Sequence, residues 1–192
     1  SALGSLPLEK RTEAEGRMRQ TIETLRDHPA LLYWETEDEP TFVWKVPLKL
    51  RTPAAQINDT AAFIRNLDPD HPLYLNQSPT NLVSTLQAYN PGADIVATDI
   101  YPVIPPGIRD MYALWPDGRQ GDLLNDTLSQ VGQYADKMRA VAGPHRAVFT
   151  VLQGFAWEML RDKDRDPAMV LYPTAEQLRF MAWQSIVHGV NG

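Results

Sequence analysis

Carboxylates and amides gather at four places in this chain, each just after a short apolar run. Residues 30–34 (ALLYW) are followed at once by Glu35, Glu37, Asp38, Glu39 and Pro40. Residues 73–75 lead into Asn76 and Gln77, and residues 94–101 (DIVATDIY) end on Asp99 and Tyr101 ahead of Pro102. Residues 147–152 (AVFTVL) lead into Gln153 and, a few positions on, Trp157 and Glu158. A positioned carboxyl can act as general acid or base, and an acid with acidic neighbours, as Glu39 has in Asp38 and Glu37, can be held protonated by their charge. Amides and carboxylates bond hydroxyls, and planar rings such as Trp34, Tyr101 and Trp157 can stack on a pyranose face. The residue types are those of a sugar site. The bland alternative is a solvated acidic loop at 35–39, helix caps at 76–77 and 99, and loop tryptophans that cover the core.

The elements that must position these groups alternate. A helical apolar spacing covers about 9–27, and Thr52-Pro53 opens a helix to about Asn66, with Thr as N-cap and Pro at the first helical position. The segment 76–80 reads as the cap of a helix carrying Leu82, Val83 and Leu86. A long helix is expected over 122–142. Thr174 and Gln177 have capping-box spacing at the head of a last helix, within which Trp183 reads as core. Residues 190–192 could begin a further strand. The unalternating apolar runs fit strands buried on both faces, so the order α, β, α, β, α, β, α, β, α predicts an α/β fold with a parallel sheet. In such folds the chemistry collects at the carboxyl ends of the strands, where the four groups lie.

Composition narrows the classes. The chain has 192 residues, 43% hydrophobic and 22% charged, which excludes a disordered chain, a collagen and a coiled coil. Its net charge of −6, with no basic patch, argues against nucleic acid as partner. No apolar run is long enough for a membrane span. Residues 1–10 lack the pattern of a signal peptide; a secreted or periplasmic setting is still the expectation. The absence of Cys removes disulfides, thiolate metal sites and Cys nucleophiles. The four His show no metal-ligand spacing, and residues 162–166 lack the calcium-loop pattern. There is no phosphate loop and no G-x-S-x-G. No cofactor and no metal are expected.

The segment His28-Pro29-Ala30-Leu31-Leu32-Tyr33-Trp34, followed by Asp38-Glu39-Pro40, resembles the fourth-strand segment of clan A-like (β/α)8-barrel glycoside hydrolases, whose pattern is H-P-A, two apolar residues, x-W-x-x-x, D or N, then E-P. Residues 93–102 are similar to the sixth strand of such barrels and 151–155 to the seventh. Residues 173–179 with His188-Gly189 are similar to the helix leading to the eighth. The resemblance implies a TIM-barrel fold, an oligo- or polysaccharide substrate, and Glu39 as general acid/base. Substrate would then be contacted by Trp34, Asp38, Asn76, Tyr101, Gln153 and Trp157, with Trp44 and Trp115 as further candidate platforms.

One position departs from that pattern. Where the best-known barrels place a Glu nucleophile at the end of the seventh strand, this chain has Gln153, and an amide is neither nucleophile nor base at neutral pH. Three readings stay open. Glu158 reaches the site from its loop, or Asp99 serves in a mechanism with wider carboxyl spacing, or the chain is a non-catalytic glycan-binding or assembly module. An open α/β domain with an unrelated ligand ranks last, because the Gly-rich phosphate turn is missing. A complete barrel usually needs about 250 residues. The expectation is one incomplete barrel domain over 1–192: part of a longer polypeptide, or a half that associates with a second copy.

Overall fold

The structure is a computed structural model and describes residues 8–42, 52–105, 127–161 and 163–192. Among them the order is α1 (Leu8–Leu25), β1 (Trp34–Asp38), α2 (Ala54–Leu67), β2 (Leu73–Gln77), α3 (Val83–Gln87), β3 (Ile95–Ile100), α4 (Gln130–Ala142), β4 (Ala147–Leu152) and α5 (Ala175–Val187). The strands form one sheet in the order β1-β2-β3-β4, and every pairing is parallel. This is the α/β architecture expected from the alternation of short apolar runs with helical segments.

The two faces of the sheet differ. Leu75, Val96 and Val148, on the face covered by helices, pack with Ile57 of α2, Leu86 of α3 and Met138 and Val141 of α4. The other face carries Tyr74, Ile95 and Ala97, packed with Tyr33, Ala147 and Phe149. The Tyr33 and Tyr74 rings stack at 4.7 Å, and Phe149 meets both edge-on. Because side chains alternate across a strand, the residues that follow on this second face are Asn76 in β2 and Asp99 in β3.

The first strand is not where the apolar run suggested. Residues 30–33 precede it. Ala30 and Leu31 are tied back to His28 in a turn, and Leu32 is 67% exposed. Pairing begins when Trp34 donates its N–H to Pro72 O, and it continues through the acidic residues themselves. The register shifts by one between Glu35, opposite Tyr74, and Asp38, opposite Asn76. This bulge turns Asp38, rather than Glu37, to the face that bears Glu35, Tyr74 and Asn76, a use of bulges common beside functional sites.

Other boundaries also moved. Asn76 and Gln77 are strand residues, so they do not cap a helix, and α3 is only Val83–Gln87. Pro53, not Thr52, is the N-cap of α2, with extended backbone. The fourth strand and the Thr174–Gln177 capping box are found as expected. Residues 190–192 run beside β4: Asn191 donates to Val148 O at 2.8 Å, and Thr150 donates to Gly192 O at 2.9 Å.

Helix α5 crosses α4 at Gly132, where a Cβ would lie 2.4 Å from Gln184 Oε1 and 2.5 Å from His188 Nε2. A side chain at 132 would have to displace both of them. Met181 faces inward, but Trp183, expected in the core, is 59% exposed, and Phe180, Ile186 and Val187 are exposed with it. A helix has several faces, and the side turned to α4 is the one that carries Met181 and Ser185.

Candidate active site

At the carboxyl ends of β1, β2 and β3 the side chains form a connected cluster. Asn76 Nδ2 donates to Asp38 Oδ1 at 2.9 Å and to Asp99 Oδ1 at 3.2 Å. The Tyr101 hydroxyl also bonds the Asp99 carboxylate. The residue is 7% exposed, and among the described residues its Oδ1 has no hydrogen-bond partner. The pairing of β2 with both neighbours fixes this geometry, since it sets Asn76 opposite Asp38 on one side and Ala97 on the other.

Glu39 follows directly. Its backbone has φ of +43°, a left-handed conformation that costs a residue with a Cβ about 1–3 kcal/mol. Two backbone bonds hold it there: Glu39 donates its N–H to Asn76 O at 2.9 Å and accepts from Phe42 N at 3.0 Å. Strain of this kind is commonly retained where a side chain must be aimed.

Burial comes first in the electrostatics, and neighbouring acids add to it. Burial raises the Asp99 carboxyl above its ordinary 3.8; hydrogen bonds from Tyr101 and Asn76 oppose this, and the charge of Asp38 adds to it. Glu35 is raised by burial and then by Asp38 and Glu37. Burial likewise raises Tyr101, and after it come Asp99, Glu39 and Asp38. That influence places the Glu39 carboxylate in the same field as Asp38 and Asp99.

The fourth strand ends differently. Gln153 is fully buried. Its Oε1 accepts from Val103 N at 2.8 Å, and its Nε2 donates to Val103 O and Phe155 O, both at 3.0 Å. It ties the loop after β3 to the loop after β4. Glu158 is buried too, and its oxygens are engaged within its own loop, by Asp166 N at 2.8 Å and Arg161 Nε at 3.1 Å. Trp157 donates to Tyr101 O at 3.2 Å and meets the Tyr101 and Phe155 rings edge-on at 5.8 Å and 5.0 Å.

Of the residues singled out from the sequence, Asp38, Glu39, Asn76, Asp99 and Tyr101 come together, and Trp157 borders them through Tyr101. Trp34 does not join them. Strand alternation turns it to the helix side, where it packs with Met18, Ile22 and Ile64 and donates to Asp68 Oδ2 at 2.8 Å. Trp44 and Trp115 lie outside the described residues. Glu35 was passed over as part of a charged run, and only the bulge reveals its face. No group of acids and histidines suited to a metal ion occurs among the described residues.

No family model matches the chain, and no curated protein matches it in sequence. Among solved structures the fold is similar to a β-D-glucuronidase from Dictyoglomus thermophilum, with a TM-score of 0.51 and 15% identity. The match covers 91% of this chain and 25% of that one. It shows a parallel α/β fold shared with a TIM-barrel glycosidase.

Proposed function

We propose that this chain is a glycoside-hydrolase-like protein that cleaves O-glycosidic bonds, with Glu39 as proton donor. The observation that carries the reading is the hydrogen-bonded chain Asp38–Asn76–Asp99–Tyr101 at three adjacent strand ends, with Glu39 held beside it in a strained backbone. The motif around Glu39 and the shared fold support it.

Glycoside hydrolysis needs an acid to protonate the leaving oxygen and a second carboxylate across the sugar. Glu39 takes the first part. Asp99 takes the second, in preference to Glu158, because Glu158 spends both oxygens on its own loop. Asp99 then acts as the base that takes a proton from water. Asp38, Asn76, Tyr101 and Trp157 bind the sugar.

One observation favours a second reading, a glycan-binding module without turnover. At the strand end where a second carboxylate is expected, the Gln153 amide instead holds two loops together. A panel of aryl glycosides and polysaccharides, run with wild type and Glu39→Gln, separates the two. Hydrolysis lost in the variant supports the enzyme. Glycan binding without hydrolysis in both supports the module. If neither hydrolysis nor glycan binding is seen, the reading of this site is refuted.

A further inference from the structure

Resting on the glycosidase reading with Asp99 as its base, we infer that Gln153 is a positioning residue: from the end of β4 it holds residues 101–103 so that the Tyr101 hydroxyl stays on the Asp99 carboxylate. The holding is done at backbone atoms. The fully buried Gln153 accepts from Val103 N at 2.8 Å and donates to Val103 O and Phe155 O, both at 3.0 Å. Trp157 Nε1 donates to Tyr101 O at 3.2 Å. Side chains at and after the end of β4 thus take the carbonyl of Tyr101 and both backbone polar atoms of Val103. Pro102, between them, has its φ fixed by its ring. The phenol is left with its side-chain torsions, and the rings of Phe155 and Trp157 flank it edge-on at 4.8 Å and 5.8 Å.

The task suits an amide. Val103 N needs an acceptor, while Val103 O and Phe155 O need donors, and a Gln side chain carries both ends. A carboxylate would set an oxygen against two carbonyls. An apolar side chain would leave all three groups unmet.

The aim of Tyr101 matters because a hydrogen bond weakens steeply as its angle opens. Burial raises the Asp99 carboxyl and the charge of Asp38 on β1 adds to it, while the bonds to Tyr101 and Asn76 oppose the rise. Glu39 and Asp38 also act on Tyr101, and Asp99 acts on Tyr74 of β2. A Tyr101 set loose withdraws one of the two opposing bonds, and Asp99 then keeps its proton to higher pH. A base that must be ionised is the poorer for it.

Carboxyl-carbon NMR of the whole chain, without substrate, follows the Asp99 titration directly. Gln153→Met keeps the length of the side chain and removes its bonds. Trp157→Phe keeps a ring, removes the N–H, and covers the case in which the first variant does not fold. Each should raise the Asp99 midpoint, Gln153→Met by about one pH unit, the order of a hydrogen bond to a charged group. Tyr101→Phe should raise it as well, and in that background neither of the other substitutions should move it further. Glu158→Ala, which loosens the same loop at Asp166 N, should leave it in place. An Asp99 midpoint unmoved in the folded variants, shifts that persist with Tyr101→Phe, or an equal shift in Glu158→Ala would overturn the inference. With aryl glycosides, the acid limb of kcat/KM against pH should move up with the midpoint. Hydrolysis with an unmoved Asp99 leaves the hydrolase and removes this inference; a moved midpoint with no glycoside hydrolysed keeps the positioning of Tyr101 and removes the hydrolase.

Discussion

Two stretches of the same strand-end rim use the same residue types to opposite ends. At β1–β3, Asp38 and Asp99 share the Asn76 amide donor, the amide oxygen has no partner among the described residues, and burial followed by the charge of Asp38 raises the Asp99 carboxyl. At β4, Gln153 and Glu158 are more deeply buried, and their polar atoms are met by Val103, Phe155, Asp166 and Arg161. A satisfied buried polar group fixes structure. An unsatisfied one is held in place against its cost. The kinds of residue are alike at the two places; what separates them is how completely the backbone answers them.

Mutations can break that contrast, and the largest effect belongs to the first stretch. Glu39→Gln should lower hydrolysis of an unactivated glycoside by roughly 10²–10⁴-fold, the usual worth of a positioned acid, measured as kcat/KM. An unchanged rate would remove Glu39 from the chemistry. In the second stretch, Gln153→Glu nearly preserves shape but turns an acceptor oxygen toward Val103 O and Phe155 O. It should cost about 2–4 kcal/mol in urea unfolding, the loss of two buried hydrogen bonds with groups left unpaired. A variant as stable as wild type that hydrolyses faster would show that the amide occupies a catalytic place after all.

Glu158→Ala comes next. It strips Asp166 N of its acceptor and should cost about 2 kcal/mol; a loss of hydrolysis with no loss of stability would return Glu158 to the site. The smallest effect concerns pH. The folded state raises the Asp99 pKa above its unfolded value, so it binds that proton more tightly than the unfolded chain does. The group therefore costs nothing at pH below its ordinary 3.8, and the cost grows as pH rises from there through the raised folded value. The stability of Asp99→Asn relative to wild type should increase over that interval, and paired denaturation series at several pH values would show it. A difference independent of pH would contradict the raised pKa.

The sequence made some of this contrast legible. The alternation of short apolar runs with helical segments gave the parallel sheet, and the fourth strand was found at its expected bounds. Asp38, Glu39, Asn76, Asp99 and Tyr101 could be picked out because strand ends are where a parallel fold presents its reactive groups. Side-chain direction was harder. The run at 30–34 looks like a buried strand, yet the strand is acidic, since backbone pairing with β2 decides it and its carboxylates lie along an open face. A one-residue bulge then chose Asp38 over Glu37, and a bulge has no composition of its own. Trp34 and Glu158 were misdirected by the same gap: spacing puts a residue near a strand end but does not say whether its side chain turns toward the helices or back into its loop.

The left-handed backbone at Glu39 has a consequence for laboratory evolution. Glycine adopts φ of +43° without the penalty that a Cβ incurs, and asparagine tolerates that region better than most. A library at position 39 screened for thermal stability alone should therefore enrich Gly and Asn over the native acid. Screened for turnover, the same library should return Glu. The position that the proposed chemistry most depends on is one where selection for a sturdier protein would discard it.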